Sequence, residues 1–124
     1  MALDAMVDAH MRSTRMDIHE VVRRLNTHLG ATAVAALAGS RDSKLPYRWA
    51  KETEPGQGAQ DRIYTAHRVW LLIADAESDH VARTWFLGNN PLLGETSPVL
   101  ALREGRAKEV AQAAEAFVTG TWHD

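Results

Sequence analysis

Apolar residues recur along this chain at spacings of three and four, and its β-branched residues never alternate over the length of a strand. Every periodic segment is therefore predicted to be helical. Ile18, Val21, Val22, Leu25 and Leu29 mark one face of a helix that Asp17 would cap and Gly30 would end. Thr32 to Ala38 follows as a short alanine-rich helix closed by Gly39-Ser40, and a third helix is expected over roughly Asp42 to Glu52. The longest is predicted over about Ala59 to Ala76. Its stripe is Ile63, Ala66, Val69, Trp70, Ile73 and Ala74, and Leu71 and Leu72 widen it, so burial on most sides is expected. Ser78-Asp79 opens a helix through Val81, Trp85 and Phe86, and the last helix runs from about Arg106 to Thr119 on Val110, Ala113, Ala114, Phe117 and Val118. Residues 1–16 read either as a loose helix over 3–12 or as a mobile N-terminal arm, and residues 121–124 as a tail.

The predicted class is all-α. Thr53-Glu54-Pro55-Gly56-Gln57-Gly58 is the clearest linker signal and separates a front portion, 17–55, from a rear portion, 59–120. At 124 residues the chain is one domain or two very small ones sharing a core. The absence of cysteine removes disulfides, thiolate zinc sites and cysteine nucleophiles, and suits a reducing cytoplasm. No apolar run approaches the ~20 residues of a membrane span, and the first residues lack the basic start and apolar core of a secretory signal. A cytoplasmic protein with no membrane partner is expected. Residues 1–68 hold ten Lys/Arg against eight Asp/Glu, whereas residues 69–124 hold four against eight. A basic front and an acidic rear suit nucleic acid at one end and a protein partner at the other, although ordinary scatter gives the same counts.

The front portion has the spacing of a helix-turn-helix unit. Ala35 allows two helices to cross closely, Gly39 four positions later makes the turn, and Leu45 six beyond anchors the second helix. That second helix would carry Arg41, Ser43, Lys44, Arg48 and Lys51, which can read guanine edges or neutralise phosphates. A structural three-helix cap with solvated basic residues fits the same pattern. Pro46 lacks an N–H and disfavours helical geometry at Leu45, so it is tolerable only in or just after a first turn.

Reaction chemistry has little to stand on. His10, His19 and His28 lie nine apart, which points successive rings to opposite sides of a helix, and no histidine pair has the spacing of a zinc helix. Asp75, Glu77 and Asp79 lack the glycine and distal glutamate of a calcium loop. Gly56-Gln57-Gly58 lacks the following Lys-Ser/Thr of a phosphate loop. Neither an enzyme, nor a metal site, nor a cofactor is expected. Trp49, Trp70 and Trp85 occupy apolar helical positions and read as core. Trp122, beyond the last helix, reads either as a residue folding back or as a partner anchor.

One segment is more specific. Trp85-Phe86-Leu87 runs into Gly88-Asn89-Asn90-Pro91, Leu92 and Leu93 return to the core before Gly94, and Ser97-Pro98 restarts a helix that reaches Gly105. This order of parts, with Trp85, Asn90, Leu93, Gly94, Pro98, Leu102 and Gly105 at the matching positions, resembles the toxin-binding domain of the Xre/MbcA/ParS-like antitoxins. The resemblance covers about residues 17–120. It implies an all-α protein with a helix-turn-helix portion packed with a C-terminal toxin-binding domain. It implies neutralisation of a RES-domain toxin that depletes NAD, by occlusion of the toxin's cleft, and binding to operator DNA for autoregulation. The alternative is a stand-alone helix-turn-helix repressor. Ser40 or Ser43 and Arg48-Trp49 match the family's pattern in the second helix, whereas Pro46 departs from it. Carried over by position, the toxin-facing residues would be Asn89, Asn90, Leu93, Arg103 and Glu104, with the tail Trp122, His123 and Asp124 plugging a nucleotide pocket. Self-association as a homodimer, or as a larger assembly with the toxin, is also expected, because two-fold readers pair their half-sites.

Overall fold

Caps and turn residues set where each helix starts and stops, and one long helix organises the rest. The computed structural model describes residues 2–14 and 16–120. In chain order it holds α1 (Ala2–Thr14), α2 (Ile18–Leu29), α3 (Ala31–Ala38), α4 (Leu45–Trp49), α5 (Gln57–Ala76), α6 (Asp79–Leu87), a 3-10 turn (Pro91–Leu93), α7 (Pro98–Arg103) and α8 (Ala107–Thr119). The described residues form no strand beyond a single antiparallel bridge between Asn90 and Thr96. The class is all-α.

The Asp17 carboxylate accepts the His19 N–H at 3.3 Å and so opens α2. Ser78 Oγ accepts the Val81 N–H and Ser97 Oγ the Leu100 N–H, both at 3.1 Å, at the starts of α6 and α7. Each satisfies a donor that the first helical turn leaves without a partner. Gly39, at φ +93°, closes α3 in the left-handed region, where a side chain would be strained.

Helix α5 is the axis. Ile63, Ala66, Val69, Trp70, Leu72 and Ile73 are buried on it, and α1, α2, α3, α6, α7 and α8 all pack against it. A fully buried Leu, Ile or Phe contributes roughly 1.5–3 kcal/mol, so this helix carries much of the hydrophobic stabilisation. His67, also on α5, is sealed in the interior. Burial, helped by Arg24, Arg12 and His28, lowers its pKa to about 4 and keeps it neutral. Trp70 stacks on the His28 ring at 4.4 Å between centroids and joins α2 to α5.

The core does not break at the 53–58 linker. Buried residues from α2 and α3 belong to the same cluster as those from α5 to α8, so front and rear share one interior. Residues 2–14 form a helix laid along α5 and α8, with Ala9 fully buried and Arg12 paired to Asp75 of α5. The predicted third helix, Asp42 to Glu52, is cut to the five residues of α4. The reason is local chemistry. Ser40 Oγ accepts the Asp42 N–H at 3.0 Å and Asp42 Oδ1 the Lys44 N–H at 2.9 Å, so residues 40–44 are held in side-chain turns that compete with helix. Pro46 then sits in the first turn, the place where its missing N–H is tolerated. Three side chains along α2 complete the attachment. Asn26 donates to the Pro46 carbonyl at 3.1 Å, Arg23 to that of Ala50 at 2.6 Å, and His19 Nδ1 lies 2.7 Å from the Trp49 oxygen.

Candidate interaction surfaces

Two surfaces compete for a function: the turn and short helix at 41–51, and the loop between α6 and α7 with the adjoining helices.

Arg41, Ser43, Lys44, Arg48 and Lys51 are all exposed, as is Tyr47, at 61%. They do not share one helical face. Only Arg48 lies within α4, while Arg41, Ser43 and Lys44 belong to the preceding turns and Lys51 to the following one. A five-residue helix is about 7 Å long, little more than one turn. The groove-reading helix expected from the Ala35-Gly39-Leu45 spacing is thus reduced to a basic knuckle.

The loop after α6 is heavily constrained. Asn90 Oδ1 accepts the Leu92 N–H at 2.9 Å. The Asn90 N–H donates to Thr96 at 2.9 Å, and its carbonyl accepts from both Leu93 and Glu95 at 3.0 Å. Pro91 fixes the start of the 3-10 turn, and Leu93, 1% exposed, drops into the core. Gly94 and Glu95 follow at φ +75° and +68°. Glycine takes that conformation freely. Glu95 takes it at a cost, offset by the hydrogen bonds of the Asn90 clasp, one of them from its own N–H. Arg106, the residue before α8, adds a staple, donating to the Leu93 carbonyl at 3.2 Å while pairing with Glu109 and, at 3.6 Å, with Glu104.

This rigid loop forms one wall of an apolar groove. Trp85 of α6, Pro91 and Leu92 of the loop, and Ala113 and Phe117 of α8 enclose about 160 Å³ beside Asn90. The groove continues past Trp85 and Phe117 toward Val81, Thr84 and His80. Trp85 and Phe117 are half-buried with their rings 6.4 Å apart, and Leu92 is 44% exposed. Trp85 is therefore less a core residue than a groove wall, edge-on to the buried Phe86 at 5.3 Å.

The residues expected to face a toxin separate by role. Asn89 and Glu104 are exposed, whereas Asn90 and Leu93 shape the loop from within. Arg103 is turned toward the front portion, where its Nη1 donates to the Ala36 and Ser40 carbonyls, both at 3.0 Å, and so caps the end of α3. Trp122, His123 and Asp124 lie outside the described residues. Leu92 lies in the loop expected to face a partner, whereas Trp85 and Phe117 read from their spacing in the sequence as ordinary helix core. Only their partial exposure after packing separates them from it. Among the described residues no group of three or more His, Cys, Asp or Glu could hold a metal ion, and no helix is long and apolar enough to cross a membrane. Comparison of the chain with protein-family models, with curated proteins and with solved structures found no match.

Proposed function

We propose that this chain is an antitoxin: it neutralises a RES-domain, NAD-depleting toxin by seating on it and covering its active site, with no chemistry of its own. The observation that carries the reading is the groove bounded by Trp85, Leu92 and Phe117. Its wall is the same loop on which the sequence resemblance rests. Partly exposed apolar surface with aromatic walls is what a partner's side chain can fill with large effect. A loop held by the Asn90 clasp and the Arg106 staple loses little freedom on binding, which leaves more of the contact energy as affinity. In this reading Trp85, Leu92, Phe117 and Asn89 contact the toxin, while Asn90, Leu93 and Arg103 hold the surface in shape.

The exposed cations at 41–51 support a second activity, operator binding, by this chain alone or with its toxin. Arg41, Lys44, Arg48 and Lys51 suit phosphate neutralisation better than base reading, because phosphate contacts need no long helix in the groove.

The direct test is co-expression with a RES-domain toxin in growing cells. The parent chain restores growth, and Leu92→Asp abolishes protection while the helical circular dichroism stays unchanged. Full protection by Leu92→Asp would refute docking through the groove. Arg48→Glu should weaken a gel shift on the upstream DNA and leave protection intact.

A further inference from the structure

A second surface, across α8 from the groove just described, has its own logic. On α1, Leu3, Val7 and Met11 recur every four residues and are 67%, 51% and 46% exposed, an apolar ridge turned away from the core that Met6 and Ala9 face. Beside the ridge, α1, α5 and α8 enclose a trough lined by Met6, Val7 and Ala111, with Arg68, Lys108, Gln112 and Glu115 as its polar lining, two cations against one carboxylate. Neither cation forms an ion pair within 4 Å among the described residues, Glu115 of the same lining included. Lys108 is exposed, and Arg68 donates only to Thr65 Oγ, at 3.0 Å. Burial pushes the Arg68 guanidinium pKa down.

What fits this trough is a helix with an apolar ridge at spacing four and carboxylates alongside. The chain itself carries one. Helix α1 sets Asp4 and Asp8 next to Leu3, Val7 and Met11, and Asp4 has no cation partner among the described residues. Ridges of residues four apart interdigitate when two helices cross at about −50°, and a two-fold pairing requires a surface complementary to itself. We propose that two copies of this chain pair through this face. The α1 ridge of each lies in the α1–α8 trough of the other, and the Asp4 edge of one copy faces the Lys108 and Arg68 rim of its partner. The groove of Trp85, Leu92 and Phe117 stays outside the contact, so each copy keeps it free.

Sedimentation velocity of the full chain over a concentration series tests this. The parent chain sediments as a dimer, and Val7→Lys sediments as a monomer with unchanged circular dichroism, since Val7 is half exposed. Lys108→Glu weakens the dimer by roughly tenfold or more, and Asp4→Lys added to Lys108→Glu recovers most of the loss. A parent chain that is monomeric throughout would overturn the proposal. So would a dimer that Val7→Lys leaves intact, or a Lys108→Glu loss that the reciprocal Asp4→Lys does not repair.

Discussion

Arg103 gives the sharpest quantitative test of how front and rear are joined. Its guanidinium donates to two carbonyls at the end of α3, Ala36 and Ser40, both at 3.0 Å. Ala36 keeps a second donor, the Gly39 N–H at 3.1 Å, so its oxygen would not be orphaned by truncation. Ser40 loses its guanidinium partner outright. A hydrogen bond to a charged group is worth about 1.5–3 kcal/mol when buried, and Arg103 is half-buried, so the lower end applies. The cation also sits at a helix C-terminus, which adds a few tenths of a kcal/mol. Arg103→Ala should therefore cost about 2 kcal/mol. For a chain of this size that is a fall in Tm of roughly 6–10 °C. Differential scanning calorimetry reads it directly. Arg103→Lys, which keeps the charge but not the forked donor, should recover only part. A Tm for Arg103→Ala within about 2 °C of the parent would refute the cap and return Arg103 to the exposed contact set.

Other substitutions test the loop and the interior. Leu93→Ala empties a fully buried site and should cost about 2–5 kcal/mol in urea unfolding. Gly94→Ala meets no atom within 4 Å but holds φ at +75°, so its cost is conformational alone, about 1 kcal/mol. His67 is neutral in the fold with a pKa near 4 and takes up a proton at its ordinary 6.5 when unfolded. Between those values the unfolded chain binds more protons, so stability falls as pH drops from 6.5 toward 4 and is flat outside that window. Comparing pH 7 with pH 4.5, the parent should lose about 2–3 kcal/mol more than His67→Gln, and equal losses would contradict the assignment.

Helix placement was legible in the sequence wherever caps and period agreed. Asp17, Ser78 and Ser97 each fix a start through a side-chain hydrogen bond, and the stripe from Ile63 to Ile73 places α5. The 42–52 helix failed because Ser40 and Asp42 form local turns that compete with helical hydrogen bonds, a contest that apolar period does not register. The 53–58 turn marks off front from rear by its Pro and Gly, but composition leaves open whether the two share a core, which the packing of α2 and α3 with α5 to α8 shows. At the site, the turn residues Asn90 and Gly94 were readable as a motif. The division of labour between Leu92, outside, and Leu93, inside, was not, because it follows from the 3-10 geometry of three residues. The cap that Arg103 places on α3 was not legible for a similar reason: its target carbonyls lie more than sixty positions away in sequence.

The central claim is that the loop and the ends of α6 and α8 form a docking face. Hydrogen–deuterium exchange of the full chain, with and without an added RES-domain protein, addresses it most directly. The account predicts slowed exchange concentrated in residues 81–94 and 110–118, with 41–51 unchanged. Protection confined to 41–51, or no complex at all, would contradict it.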